Sequence, residues 1–174
     1  MNVYKNQQEI EIAIEELAHK IDLDYRGKKL VLVCVVKGAM VFFAKLMLEL
    51  NKAGLDFEIE TIRAKRSYDS ETVAVNFSPT LSITNKHVLI VDGICDTGLT
   101  AKRVEYDIEA FMPTSINFCF LLDKNIVKKH SLVNKYYKCF DCPDEFMVGY
   151  GLDDNEKKRG WPFIYAKKPD VAEE

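Results

Sequence analysis

The residues best placed to do chemistry lie in the segment Val88 to Thr100, VLIVDGICDTGLT. Val88-Leu-Ile-Val91 reads as a buried strand, and Asp92 to Gly98 as a loop that turns into a helix. A helix opening at a strand end leaves free N–H groups, which together with its dipole favour an anion such as phosphate. Thr97 and Thr100 add hydroxyl donors, the backbone around Leu99 adds N–H groups, and Gly98 allows close approach without a Cβ. A plainer use is open to the same residues, since Asp96 or Thr97 would cap a helix in any protein. The acid at the strand end, Asp92, and the mid-chain position favour the anion site.

Other chemistry-bearing residues are ambiguous alone. Lys37-Gly38 follows the apolar run Leu30 to Val36 and fits a turn with a solvated lysine. Lys124 follows Ile116 to Leu122 and fits an ordinary surface lysine beside Asp123. Phe146 and Met147 read as core residues of a short strand, and Asp153, Asp154, Glu156 and Arg159 as a solvated loop. Cys139 and Cys142 form a C-x-x-C, but His19, His87 and His130 supply no partner pair at zinc-ligand spacing, and Pro143-Asp144 is no helix start.

Positioning these residues requires a framework of strands and helices. Ile10, Ile14, Leu17 and Ile21 predict an amphipathic helix over about 8–21. Leu30 to Val36, apolar on both faces, predicts a strand covered on two sides. Ala39 to Ala53 reads as a helix stopped by Gly54, and Phe57 to Arg63 as a strand. Residues 64–72 read as a loop, Val73 to Phe77 and His87 to Val91 as strands, and 99–112 as a helix closed by Pro113. Ile116 to Leu122, Phe146 to Tyr150 and Phe163 to Ala166 complete the strands. Strands alternating with helices predict an α/β fold with a parallel sheet, whose ligands bind beyond the carboxyl ends of the strands. That selects the loops after Val36, Val91 and Leu122.

Composition narrows the function. The 174 residues carry a net charge of −3, with lysines and arginines scattered, which argues against a nucleic-acid partner. No apolar run approaches a membrane span, and the charged N-terminus is no signal peptide. Five cysteines, mostly within apolar runs, suit reduced thiols and a cytoplasmic location.

Val88 to Thr100 resembles the phosphoribosyl pyrophosphate motif of type I phosphoribosyltransferases, and the chain as a whole resembles their hypoxanthine-guanine branch. The resemblance runs through Asp24-Tyr-Arg-Gly-Lys28, Val36-Lys-Gly-Ala39, Ser67-Tyr68, Leu121-Leu-Asp-Lys124, Phe146 to Asp153 and Arg159. It implies a single domain over 1–174: a twisted, mainly parallel sheet flanked by helices. A small hood would come from the N-terminal segment and about 125–174, and a mobile lid loop from about 64–78. It implies Mg²⁺-dependent purine salvage, in which a 5-phosphoribosyl group passes from phosphoribosyl pyrophosphate to hypoxanthine or guanine, giving IMP or GMP. Asp92 and Asp96 to Thr100 would hold the phosphoribosyl group, with Asp96 the proton acceptor. Lys37, Gly38 and Arg159 would hold pyrophosphate, the lysine often preceded by a non-proline cis peptide. Lys124, Phe146, Met147 and Asp153 would hold the purine, Ser67 and Tyr68 would close the lid, and Asp153, with Asp92 indirectly, would serve Mg²⁺. A homodimer or homotetramer is implied as well. The chain departs from the family at Gly93, where a second ribose-binding acid is usual, and in a lid that is shorter and poorer in glycine. The expectation from Gly93 is an enzyme that grips the sugar phosphate less tightly and is improved by Gly93→Asp. Two alternatives stand beside this reading: a nucleotide-sensing regulator on the same fold, and an enzyme preferring xanthine or another oxopurine.

Overall fold

The computed structural model describes residues 3–66, 72–132, 134 and 136–167. The elements run β1 (Val3–Lys5), α1 (Gln7–Tyr25), β2 (Leu30–Val36), α2 (Met40–Lys52), β3 (Glu58–Arg66), β4 (Val73–Asn76), β5 (His87–Cys95), α3 (Leu99–Glu109), β6 (Ser115–Lys124), β7 (Tyr136–Cys142), β8 (Phe146–Val148) and β9 (Ile164–Lys167). The main sheet has the order β4-β3-β2-β5-β6-β7, parallel throughout except for the antiparallel β3–β4 pair.

The period-2 alternation of side chains explains why the central strands are apolar along their whole length. Leu30, Leu32, Cys34, Leu89, Val91, Cys119 and Leu121 pack on one face with Ile10, Ile14 and Ile21 of α1 and Phe42 and Leu46 of α2. Val31, Val33, Val35, Val88, Ile90, Phe118 and Phe120 pack on the other with Ala101, Val104 and Ile108 of α3. With both faces sealed, polar groups are left to the strand ends, and β2, β5 and β6 lie side by side there. A second, antiparallel sheet of order β1-β9-β8 brings the N-terminal segment beside Phe146–Val148.

Several boundaries differ from the sequence pattern, each for a tertiary reason. Helix α1 reaches Tyr25, which is only 2% exposed and continues the buried stripe beyond Ile21. It begins at an Asn6 capping box, with Glu9 N–H donating to Asn6 Oδ1 (3.0 Å) and Asn6 N–H to Glu9 Oε2 (2.9 Å). Residues 64–66, expected in the loop, extend β3 because they pair with Val73 to Val75 of β4. Asp92 to Cys95 likewise belong to β5 and pair with β6, so Asp92 sits on a strand and not in a loop. Residues 136–142 were not expected as a strand, because YYKCFDC mixes charge and apolar residues. They form the edge of the main sheet through pairing with β6, so the segment assigned to the hood from about residue 125 is divided between the two sheets. The expected lid residues Ser67 and Tyr68 lie outside the described residues.

Glu60 ties β3 to the connection leading into β5. Its carboxylate, 7% exposed, accepts from the Thr80 N–H (2.6 Å), the Thr80 hydroxyl (2.8 Å) and the Leu81 N–H (2.9 Å). Burial pushes its pKa up, but these donors outweigh burial and hold it below the usual carboxylate value. A depressed folded-state pKa means stability present above the unfolded pKa and lost as pH falls through the folded one. Glu60→Gln should therefore cost about 1.5–3 kcal/mol in denaturant unfolding at neutral pH. The difference from wild type should shrink as the pH falls through and below the carboxylate range.

Candidate active site

The cleft lies where the sheet rule places it, at the carboxyl ends of β2, β5 and β6. It has a larger lobe of about 360 Å³ and a smaller one of about 190 Å³, which share Ile94, Asp96, Leu152 and Asp153.

The larger lobe is floored by the end of β5 and the start of α3. Thr97, Gly98, Leu99 and Thr100 line it together with Asp92 and Asp96. Gly98 is the residue before the helix, at φ 84°, and among the described residues no side-chain cap bond reaches the opening N–H groups. The capping role open to Asp96 and Thr97 is thus not taken, and the helix start offers its donors to the lobe. A Cβ at position 98 would lie 2.1 Å from the His130 carbonyl oxygen, so only glycine fits. His130 N–H in turn donates to Thr97 O at 3.0 Å, which fastens the segment after β6 onto this loop. Burial pushes the Asp92 carboxyl up to about 7, partly offset by the Gly93 N–H that donates to it at 2.7 Å.

The opposite wall carries Lys37-Gly38, preceded by a cis Val36-Lys37 peptide, and Arg159. Lys37 Nζ and Arg159 Nη2 each lie 3.0 Å from Glu156 Oε2, and Arg159 Nη2 lies 2.9 Å from Asp153 Oδ1. Arg159 Nη1 also donates to Gly151 O at 2.9 Å, so its planar fork is fixed against the loop that carries Asp153. A single exposed carboxylate, Glu156, holds two cations. Since both it and Lys37 are more than half exposed, an incoming anion could replace it at small cost.

Gly93 is not among the residues that line either lobe. A Cβ there would meet Leu152 Cδ2 at 2.9 Å and the Gly38 carbonyl oxygen at 3.0 Å. At Gly151, φ 104°, a Cβ would meet the same oxygen at 2.3 Å. Position 93 is a close backbone approach, and a side chain added there starts toward Leu152 and the Lys37-Gly38 loop.

The smaller lobe is lined by Lys124, Glu145, Phe146 and Met147 with the four shared residues. Lys124 Nζ lies 2.9 Å from Asp144 Oδ1 and 3.7 Å from Asp96 Oδ1. Phe146 on β8 is 54% exposed, whereas Met147 is 5% exposed. An aromatic face open to a cleft, a buried neighbour offering backbone, and an ammonium at one edge suit a flat heteroaromatic ligand. Every site residue expected from sequence within the described residues lines one lobe or the other. Asp96, at the junction, touches both.

The comparisons with known proteins agree with this geometry. The model of the phosphoribosyl transferase domain matches residues 2–155. The chain is 34% identical to the hypoxanthine-guanine-xanthine phosphoribosyltransferase of Tritrichomonas foetus, across 97% of this chain and 92% of that one. It superposes with a TM-score of 0.87 and 33% identity on a hypoxanthine-guanine phosphoribosyltransferase of Bacillus anthracis that holds a HEPES molecule in its active site, covering 95% of this chain and 96% of that one. A Trypanosoma cruzi hypoxanthine phosphoribosyltransferase in complex with its product IMP superposes at 0.88 with 29% identity, covering 97% and 95%. The chain belongs to the phosphoribosyltransferase family. Within it, the chain falls in the hypoxanthine-guanine branch.

Sequence reasoning missed several residues of this phosphoribosyltransferase cleft. Arg66 ends β3 and places Nη1 3.9 Å from Asp96 Oδ2; it was read as loop. Ile94 and Leu152 line both lobes, and Glu145 adds a carboxylate to the smaller one. Ile94 carried a signal, since it lies two residues beyond Asp92 on one strand; Leu152 and Glu145 carried none. The C-x-x-C lies on β7, with burial pushing Cys139 up to about 12 and Cys142 up to about 11, which leaves both as poor thiolates.

The glycine contacts are directly testable. Gly151→Ala should destabilise the fold by about 1–3 kcal/mol and raise the Michaelis constant for phosphoribosyl pyrophosphate, because the Gly38 carbonyl must move. Gly93→Asp should raise that constant as well; a lower value would bear out the reading of a missing ribose acid.

Proposed function

We propose that this phosphoribosyltransferase moves the 5-phosphoribosyl group of phosphoribosyl pyrophosphate onto hypoxanthine or guanine, releasing pyrophosphate and IMP or GMP. The observation that carries the reading is Asp96, which lines both lobes and lies 3.7 Å from Lys124, between the free helix start and the aromatic lobe. The 5-phosphate sits on the N–H groups and hydroxyls of Thr97 to Thr100. Asp92 accepts from the ribose hydroxyls. Pyrophosphate exchanges with Glu156 on Lys37 and Arg159 and gains the backbone of Gly38, which stabilises the departing charge of an oxocarbenium-like transition state.

The purine stacks on Phe146, with Met147 and Asp153 at its edge. Lys124 donates to O6, which a 6-amino group cannot accept, so adenine is rejected. Asp96 accepts the proton, or a hydrogen bond, from the imidazole ring of the attacking base. Ser67 and Tyr68 are assigned by the family pattern alone to cover the site.

The residues fit Mg²⁺. Among the described residues no three His, Cys, Asp or Glu side chains converge as a metal cage. A site with hard oxygens from Asp153, and from Asp92 through water, suits an ion that keeps waters and takes its other ligands from phosphates. Bound there, it would neutralise charge on the pyrophosphate. The reading extends to a cytoplasmic homo-oligomer, and the five free cysteines, four of them buried, agree with a reducing compartment.

One assay tests the proposal: phosphoribosyl pyrophosphate and Mg²⁺ with hypoxanthine, guanine, xanthine and adenine in turn. Turnover of hypoxanthine and guanine is expected, with Asp96→Asn lowering kcat by about a hundredfold or more. Activity on adenine alone removes Lys124 from its role, and silence on every base overturns the proposal. Xanthine should be the poorest oxopurine. Its second oxo group meets a lobe holding Asp96, Glu145 and Asp153, against one ammonium already paired with Asp144. Glu145→Gln should raise the xanthine-to-hypoxanthine ratio of kcat/KM by up to about fivefold, the size of a partly exposed charge effect.

A further inference from the structure

The described residues between β6 and β7 form no helix or strand, yet one of their side chains reaches both halves of the cleft. The Lys128 ammonium donates to the carbonyl oxygens of Cys95 (3.0 Å) and Lys124 (2.8 Å), and pairs with Asp123 Oδ1 at 2.8 Å. The two carbonyls take two of its three N–H donors, and the Asp123 contact is an ion pair. Cys95 is the residue before Asp96, and Lys124 is the lysine of the aromatic lobe. The β5–β6 ladder stops one step short of them, its last pair being Cys95 with Asp123. Asp96 is thus the first residue that the β5–β6 ladder does not hold, while Lys124, across from it, is held on its other side by Cys142 of β7. The ammonium takes over where the ladder ends.

The anchor of this clamp is itself fixed. Asp123 is 4% exposed and also accepts from Lys138 (3.1 Å) and the Tyr136 hydroxyl (3.2 Å), both on β7. Burial pushes its carboxyl up, but Lys128 and Lys138 outweigh burial and keep it ionised. Lys128 is not among the described residues that line either lobe, so it touches no substrate and acts through the backbone of its neighbours.

We propose that Lys128 is a positioning residue, whose ammonium clamps the carbonyls of Cys95 and Lys124 and so sets the separation of Asp96 from Lys124. The inference rests on the roles given above to those two side chains. A base must meet Lys124 at O6 and Asp96 at its imidazole ring at once, and small misplacements of reacting groups are expensive in rate.

The test compares Lys128→Met, which keeps the apolar stem, with Lys128→Arg, which keeps the charge and several donors. In the methionine variant kcat/KM for hypoxanthine should fall by about 10–100-fold, the usual size for loss of a group that orients a working one. Discrimination against adenine should fall with it, and the arginine variant should recover most of both losses. Glu60→Gln, destabilised far from the cleft, should leave kcat and the base ratio of its folded fraction unchanged. Amide exchange of ligand-free Lys128→Met should quicken about tenfold or more across Thr97 to Thr100 and not in α2. Wild-type kcat/KM and base ratio in Lys128→Met would overturn the inference, as would unchanged exchange at the loop. A wild-type protein inactive on all four bases would instead sink the proposed function, and exchange would still judge the clamp.

Discussion

The carbonyl of Gly38 packs against the backbone of Gly93 on β5 and of Gly151 in the loop that carries Asp153, with no side chain between. Three stretches far apart in sequence meet there: the loop after β2, the end of β5, and the turn that presents Asp153, Glu156 and Arg159. Because backbone lies on backbone, Lys37 and Arg159 come close enough to share one carboxylate, and Leu152 is wedged into both lobes. A methyl group at Gly151 would force the Gly38 carbonyl away, whereas one at Gly93 would first meet the end of the Leu152 side chain.

Charge compensation is the second constraint. Lys37, Lys124 and Arg159 all face the cleft, and each is paired with a carboxylate: Glu156, Asp144, and Asp153 with Glu156. Three cations held so close would repel one another without these acids. The acids are mostly exposed and weakly held, so a polyanionic substrate can take their places while the cations stay where they are. Asp92 differs, since it lies on the sealed strand with a raised pKa and a single local donor. Hydroxyl donors or a cation brought by a substrate would complete its environment.

The strands and the segments beyond them divide the labour. The β5–β6 ladder fixes residues up to Cys95 and Asp123; Asp92 lies within it, and the Asp96 to Thr100 loop starts one position later. Beyond the ladder, order comes from side chains and loop backbone: Lys128 on two carbonyls, and His130 on Thr97 with its own carbonyl against Gly98. The connection from β6 to β7 therefore supports the site although it lines little of it.

The sequence by itself determined the alternation of strands and helices, the sealed central strands, and the polar strand-to-helix turn at Asp96 to Thr100. Hydrophobic periodicity and glycine placement are local signals, and they also picked out the three strand ends where the cleft lies. What only tertiary structure decided was pairing and proximity. Residues 64–66 became strand because β4 paired with them, and YYKCFDC became an edge strand because β6 offered it a partner. Gly93 departs from the family's second acid in the motif, and only tertiary structure brings its backbone close to Gly38 and Leu152. Glu145, Glu156 and Lys128 carried no pattern to mark them. Their roles depend on which carbonyls and cations lie within about 3 Å, the range of a hydrogen bond, and no spacing along the chain encodes that.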